Sequence, residues 1–156
     1  LFTDRWWTEL VEPELARGAE SSGRDPAGLR RWGWLITAID NDDPARAVRD
    51  ARLQIAFYFT VKTYDSLVEL HGWTDEVARI RSAFRSSQPE TIADHVTDDM
   101  LWSIAICGTD AQAREMLATR KRLPDLAFAS PPSFLVGRRR RASYAAAATR
   151  VLSQLH

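Results

Sequence analysis

The chain has 156 residues, 45% of them hydrophobic and six of them tryptophan, which suffices for one domain's core and excludes a disordered segment. Lysine plus arginine, 21, equals aspartate plus glutamate, 21, so no global field favours nucleic acid or an anionic membrane as partner. The single cysteine, Cys107, excludes an internal disulfide framework. No apolar run reaches the roughly 20 residues that span a bilayer, so the expectation is a soluble, cytoplasmic protein without a leader segment.

Thr3 is placed to cap a first helix over "DRWWTELVEPELARGAESSG". Trp6, Leu10, Val11 and Leu15 make its apolar stripe, and Pro13 weakens its middle. "SSGRDPAG" is loop material. Arg31–Asp40, "RWGWLITAID", is almost continuously apolar, as a strand buried on both faces requires. Asp43 then caps a helix with Pro44 at its first position. The run from Ile55 to Trp73 carries enough aromatic and β-branched residues for a strand. The cap upstream and the lack of a turn signal before Gly72 favour continued helix with a break near Lys62. Thr74 caps "DEVARIRSAFRSS", and Pro89 opens "ETIADHV". Thr97, Asp98 and Asp99 start a helix read through "MLWSIAIC", and Thr109 caps "DAQAREMLATRKRL". Pro124 stops that helix, Asp125–Ser130 reads as a second buried strand, and a last helix over Arg138–Leu155 closes the chain. Two strands of parallel character cannot make a stable sheet alone, so the pattern predicts the end of a larger α/β sheet.

Motifs for chemistry are few. "GTDAQAREM" offers a helix N-terminus to an anion but has one glycine and no Walker lysine, so it reads as a structural cap, with a minor ligand contact left open. Arg138–Arg141 is either a solvated first helical turn or an anion site. His71, His95 and His156 lack companions at ligand spacing, so no metal is expected. Ser130 and Ser133 lie in no Gly-x-Ser-x-Gly context, and Cys107 follows an apolar run as an inert core thiol does. "NDD" at 41–43 and "DD" at 98–99 precede helices and read as caps. No catalytic residue is assigned. Phe57, Tyr58, Phe59, Tyr64 and Trp73 are either core packing or the wall of an apolar pocket with phenol donors. The substrate-binding candidates are Tyr58, Tyr64, His71 and Trp73.

"LFTDRWWTELVEPELARGAESSGRDP", "WLITAIDNDDPARAVRDARLQIAFYF", "HGWTDEVARIRSAF", "VTDDMLWSIAICGTDAQAREML" and "DLAFASPPSF" follow one another in the order seen in one family. Together they resemble the C-terminal part of the luciferase-like monooxygenases. The likeness is to members that use the deazaflavin coenzyme F420, such as methylenetetrahydromethanopterin reductase-like proteins. The resemblance implies that residues 1–156 are a single helix-rich α/β domain, the C-terminal portion of a (β/α)8 TIM barrel. Arg31–Asp40 would be strand 7 and Asp125–Ser130 strand 8, with a helical insertion before the seventh barrel helix at Thr109. Such a barrel needs about 250 residues, so this chain alone cannot close one.

The function so implied is that of a coenzyme F420- or FMN-dependent oxidoreductase. It would transfer hydride to a small organic substrate, or monooxygenate it. Most of the coenzyme site would lie on earlier strands, and the isolated chain is expected to be inactive. Its partner would be a missing N-terminal half or a second copy. The alternative is an autonomous, non-catalytic helical interaction module, homodimeric and anchored by tryptophans. A fragment should expose a large apolar patch along the edge of the Arg31–Asp40 strand, which a true module would cover.

Overall fold

The computed structural model describes residues 1–153. Three parallel strands, β1 (Trp32–Ile39), β2 (Ala105–Gly108) and β3 (Leu126–Ser130), form one sheet in the order β2-β1-β3. One more strand is present than expected. "AIC", read above as the tail of a helix, leaves α6 (Asp98–Ile104) and, with Gly108, pairs with Ile36–Ile39. A helix of seven residues is weak by itself, and the open side of a central strand competes for the same backbone groups.

Strand alternation sorts the core into two layers. Ile36 and Ala38 of β1, with Ala105 and Cys107 of β2, face the larger cluster, which holds Ala47, Ala51, Ile55 and Phe59 of α3 (Pro44–Phe59) and Val77 and Ile80 of α5 (Thr74–Arg85). Leu35, Ile39 and Ile106 point the other way. They meet Ala113 and Leu117 of α7 (Asp110–Thr119), Ala147 and Val151 of α8 (Arg138–Leu152), and Phe2. Helices thus cover both faces where β1 and β2 pair, which explains the apolar C-terminal half of β1.

The expectation for β3 needs correction. It is an edge strand: β1 pairs with one side of it and α8 meets its other face, while Leu126 and Phe128 stay exposed.

Before the sheet, the chain runs as α1 (Asp4–Trp6), a five-residue π turn (Trp7–Val11) and α2 (Glu12–Ser21). The π turn ends just ahead of Pro13, whose ring would clash with the Glu9 carbonyl in an unbroken α-helix, so the weak middle takes this form. After α3, a 3-10 turn at Lys62–Tyr64 leads into α4 (Asp65–His71), which ends on Gly72 in left-handed conformation, φ +75°. This is the break expected near Lys62. Several boundaries differ from expectation. α5 begins at Thr74 itself, with Trp73 in the cap position; "ETIADHV" holds only a 3-10 turn, Ile92–His95; and α7 ends at Thr119, ahead of Pro124. α8 is described to Leu152, so its expected end at Leu155, and His156, lie outside the described residues.

Candidate functional site

The four substrate-binding candidates fall in one chain of ring contacts that runs from the end of α3 to the start of α5. Tyr58 and Tyr64 have ring centroids 5.8 Å apart, and Phe59 lies 6.1 Å from both Tyr64 and Trp73. His71 stacks on Trp73 at 4.0 Å. The break after Phe59 and the left-handed Gly72 fold the chain back on itself, and that reversal brings residues from three elements together.

Their environments differ. Trp73 is buried and donates its indole N–H to Asp99 at 2.7 Å, whereas Tyr58 and Tyr64 are half-buried. Burial, and then the neighbouring Tyr58, raises the pKa of Tyr64, so its phenol stays a proton donor at neutral pH. His71 Nε2 lies 2.9 Å from Thr3 Oγ1, and burial followed by the Arg5 charge lowers the pKa of its ring. A neutral imidazole is therefore the form that faces Thr3.

His71 opens onto a concavity. It shares a cleft of about 850 Å³ with Thr3, Glu9, Asp99, Trp102 and Arg120. Arg120 donates through Nη1 to the Ser103 carbonyl and lies 3.5 Å from Asp4, while its Nη2 is buried without a hydrogen-bond partner.

A second aromatic group stands at the C-terminal end of β3. Phe57 stacks on Phe134 at 4.2 Å with the rings 12° from parallel, and Phe84 lies 6.4 Å from Phe134. Gln54, buried in α3, holds this arrangement: its Oε1 accepts from Ser133 N at 2.7 Å and from Phe134 N at 3.0 Å. Of these residues only Phe57 stood out in the sequence. Phe84, Phe134 and Gln54 lie up to 80 residues apart and carry no local signal.

The remaining motifs resolve as structure. Thr109 Oγ1 accepts from Gln112 N, and Gln112 Oε1 accepts from Thr109 N at 2.8 Å, a reciprocal cap. Asp110 N donates to Asn41 and its carboxylate pairs with Arg150 at 2.8 Å, so the first donors of α7 are occupied by the protein itself. Asp43 accepts from Arg46 N, and Asp98 pairs with Arg52. The four arginines are not equivalent: Arg140 Nε lies 2.7 Å from buried Asp50, which also accepts from the Tyr144 hydroxyl at 2.7 Å. Arg138, Arg139 and Arg141 stay exposed. Cys107 is fully buried and its thiol is pushed up to about 12. Among the described residues, no group of His, Cys, Asp and Glu could hold a metal ion, and no helix is long and apolar enough to cross a membrane.

The profile of the family described as luciferase-like monooxygenase matches residues 8–125. An uncharacterized protein of Mycobacterium tuberculosis, Rv1360, is 31% identical over 110 residues, covering 69% of this chain and 32% of its own length. The 5,10-methylenetetrahydromethanopterin reductase of Methanolobus tindarius is 30% identical over 111 residues, covering 68% of this chain and 33% of its own. The solved structure of the coenzyme F420 dependent tetrahydromethanopterin reductase from Methanopyrus kandleri superposes with a TM-score of 0.67 and 18% identity, over 95% of this chain and 42% of that one. This last likeness is one of fold. The chain spans about a third of the length of the curated relatives it matches.

Proposed function

The chain belongs to the luciferase-like monooxygenase family, and from that premise we propose that it is part of a coenzyme F420-dependent oxidoreductase acting on a small organic substrate. Its sheet would be the C-terminal portion of a (β/α)8 barrel. The observation that carries this reading is an uncovered apolar face. Trp32, Trp34, Leu126 and Phe128 are 66%, 36%, 45% and 47% exposed. Trp32 pairs in register with Leu126, and Trp34 with Phe128, so all four lie on one face, opposite the side held by α7 and α8. In a barrel the side of α7 and α8 lies outside and this face looks inward; α3 covers its far end at Ile36 and Ala38, and further strands would cover the rest.

The expected apolar patch along the edge of the Arg31–Asp40 strand is not what the structure has. Both edges of β1 are paired, and the exposed apolar surface lies on the face of its N-terminal half and on β3. The parallel neighbours β1 and β3 suit barrel strands 7 and 8. β2 takes the edge of β1 on which barrel strand 6 would pair, and so departs from that scheme.

Of the two coenzymes that the sequence left open, F420 is proposed because the structural neighbour's name carries it. The donors after β3 fit the phosphate-bearing end of such a group. The first turn of α8 has no side-chain cap, and Arg138 and Arg139 stand exposed beside its N–H groups. When bound, the coenzyme supplies the hydride chemistry. The chain's own residues would neutralise the phosphate, and Tyr58 and Tyr64 would stand as phenol donors at the substrate end. His71 would present its neutral ring to the neighbouring cleft, and Trp73, itself buried, would hold that ring in place by stacking.

The test is turnover of reduced coenzyme F420, followed by return of the oxidised coenzyme's visible absorbance. The protein should be used as its native gene encodes it, with a panel of small organic acceptors. Turnover with F420 and none with reduced FMN is the expected result. An interaction module would turn over neither.

A further inference from the structure

Leu135 carries two unfavourable properties at once. Its side chain is 57% exposed, and its backbone sits at φ +56°, the left-handed region that a branched, bulky residue rarely adopts. The surrounding loop leaves it little choice. Gln54 fixes the N–H groups of Ser133 and Phe134, Val136 is buried, and Val136 N closes a turn onto the Ser133 carbonyl at 3.4 Å. Leu135 is the third residue of that turn, a place where positive φ calls for glycine or asparagine. Beside it, Phe134 stacks on Phe57, with Phe84 against both, itself partly exposed.

Among the described residues, Leu135 belongs to neither buried cluster. Strain of this kind persists where the surrounding structure over-determines it, and it clusters at ligand contacts. The loop leaves the C-terminal end of a parallel strand, the side on which α/β folds bind ligands, and leads directly into the arginine-bearing start of α8. We infer that Leu135, with the Phe57–Phe134 stack, forms an apolar ledge against the planar ring of the coenzyme. This inference rests on the oxidoreductase reading above. It deepens that reading by assigning the ring end of the ligand to the loop and the phosphate end to the α8 start.

The test uses the protein as its native gene encodes it, with coenzyme F420 as probe, read by fluorescence titration and by thermal melting. Leu135→Gly should raise the melting midpoint by about 2–4 °C, because the strain is relieved. The same variant should bind F420 at least about tenfold more weakly, because the side chain is gone. Leu135→Ala should weaken binding similarly without the gain in stability, and Leu135→Met should bind as the parent does. A Leu135→Gly variant that binds F420 as tightly as the parent overturns this inference while the oxidoreductase reading stands. A variant that melts lower than the parent overturns the strain on which it rests. A parent that does not bind F420 overturns both readings.

Discussion

Gly108→Ala tests the junction between β2 and α7, on which the placement of both depends. Gly108 sits at φ +100°, and its carbonyl accepts from Asp40 N at 2.9 Å, tying the ends of β1 and β2 together. An added Cβ would stand 2.3 Å from Gln112 Oε1 and 3.1 Å from its Cδ. Gln112 is exposed and can swing away, so the overlap itself is cheap to relieve. Swinging away, however, removes the 2.8 Å bond that Oε1 accepts from Thr109 N, half of the reciprocal cap. Positive φ for a residue with a Cβ costs about 1–2 kcal/mol, and the lost cap bond about 1 kcal/mol. The sum, about 2–3 kcal/mol, corresponds to a midpoint lower by about 4–12 °C for a chain of this size. Urea unfolding followed by tryptophan fluorescence measures it directly. A double-mutant cycle isolates the cap. Gln112→Ala alone should cost about 1 kcal/mol, and on that background Gly108→Ala should lose only its backbone part, a coupling of about 1 kcal/mol. A Gly108→Ala variant within about 0.5 kcal/mol of the parent would refute the backbone argument, and strict additivity would refute the cap argument.

Tyr144→Phe removes a buried hydroxyl donor from Asp50 and leaves Arg140 as the carboxylate's remaining partner; the same titration should show a loss of about 1.5–3 kcal/mol, and none if the carboxylate is otherwise satisfied. The side-chain and backbone hydrogen bonds from Arg31 hold the Asp125 carboxyl well below the usual carboxylate range. Its stabilising contribution is therefore present above the unfolded value near 4 and fades as the pH falls through the folded one. Asp125→Asn should thus be less stable than the parent at pH 7, with the gap closing in acid; a gap independent of pH would contradict the pairing. Cys107, buried and with its thiol pushed up to about 12, should react with an aromatic disulfide reagent at pH 8 only at the rate of unfolding, and prompt labelling of the folded protein would contradict its burial.

The parts of the fold governed by local chemistry were legible. Asp43 with Pro44, the caps Thr97 and Thr109, and Gly72 each announce a boundary in the two or three residues around it, and the structure has a boundary at each. The apolar run of β1 was equally plain, because burial on both faces of its C-terminal half leaves Thr37 as the one polar side chain there. What was not legible depends on distant partners. "IAIC" has no turn signal ahead of it, so nothing local marks the change from helix to strand, and only pairing with β1 does. The apolar sequence of β3 identifies a strand but not whether anything lies over it. At the site, the aromatic candidates proved to be neighbours, yet the Gln54 clamp, the Phe57–Phe134 stack and the Arg140–Asp50 pair join residues some 80–90 apart and leave no trace in spacing. The strain at Leu135 is equally silent, since "SFLVG" offers glycine two residues too late.

The measurement that bears most directly on the oxidoreductase reading is native mass spectrometry of the protein purified from its source, under conditions that preserve noncovalent ligands. A polypeptide well above the 17.7 kDa of this chain, carrying one coenzyme F420 per subunit, is the predicted result. A 17.7 kDa chain that flies as a homodimer without coenzyme would contradict it and identify the uncovered face of Trp32, Trp34, Leu126 and Phe128 as a dimer interface.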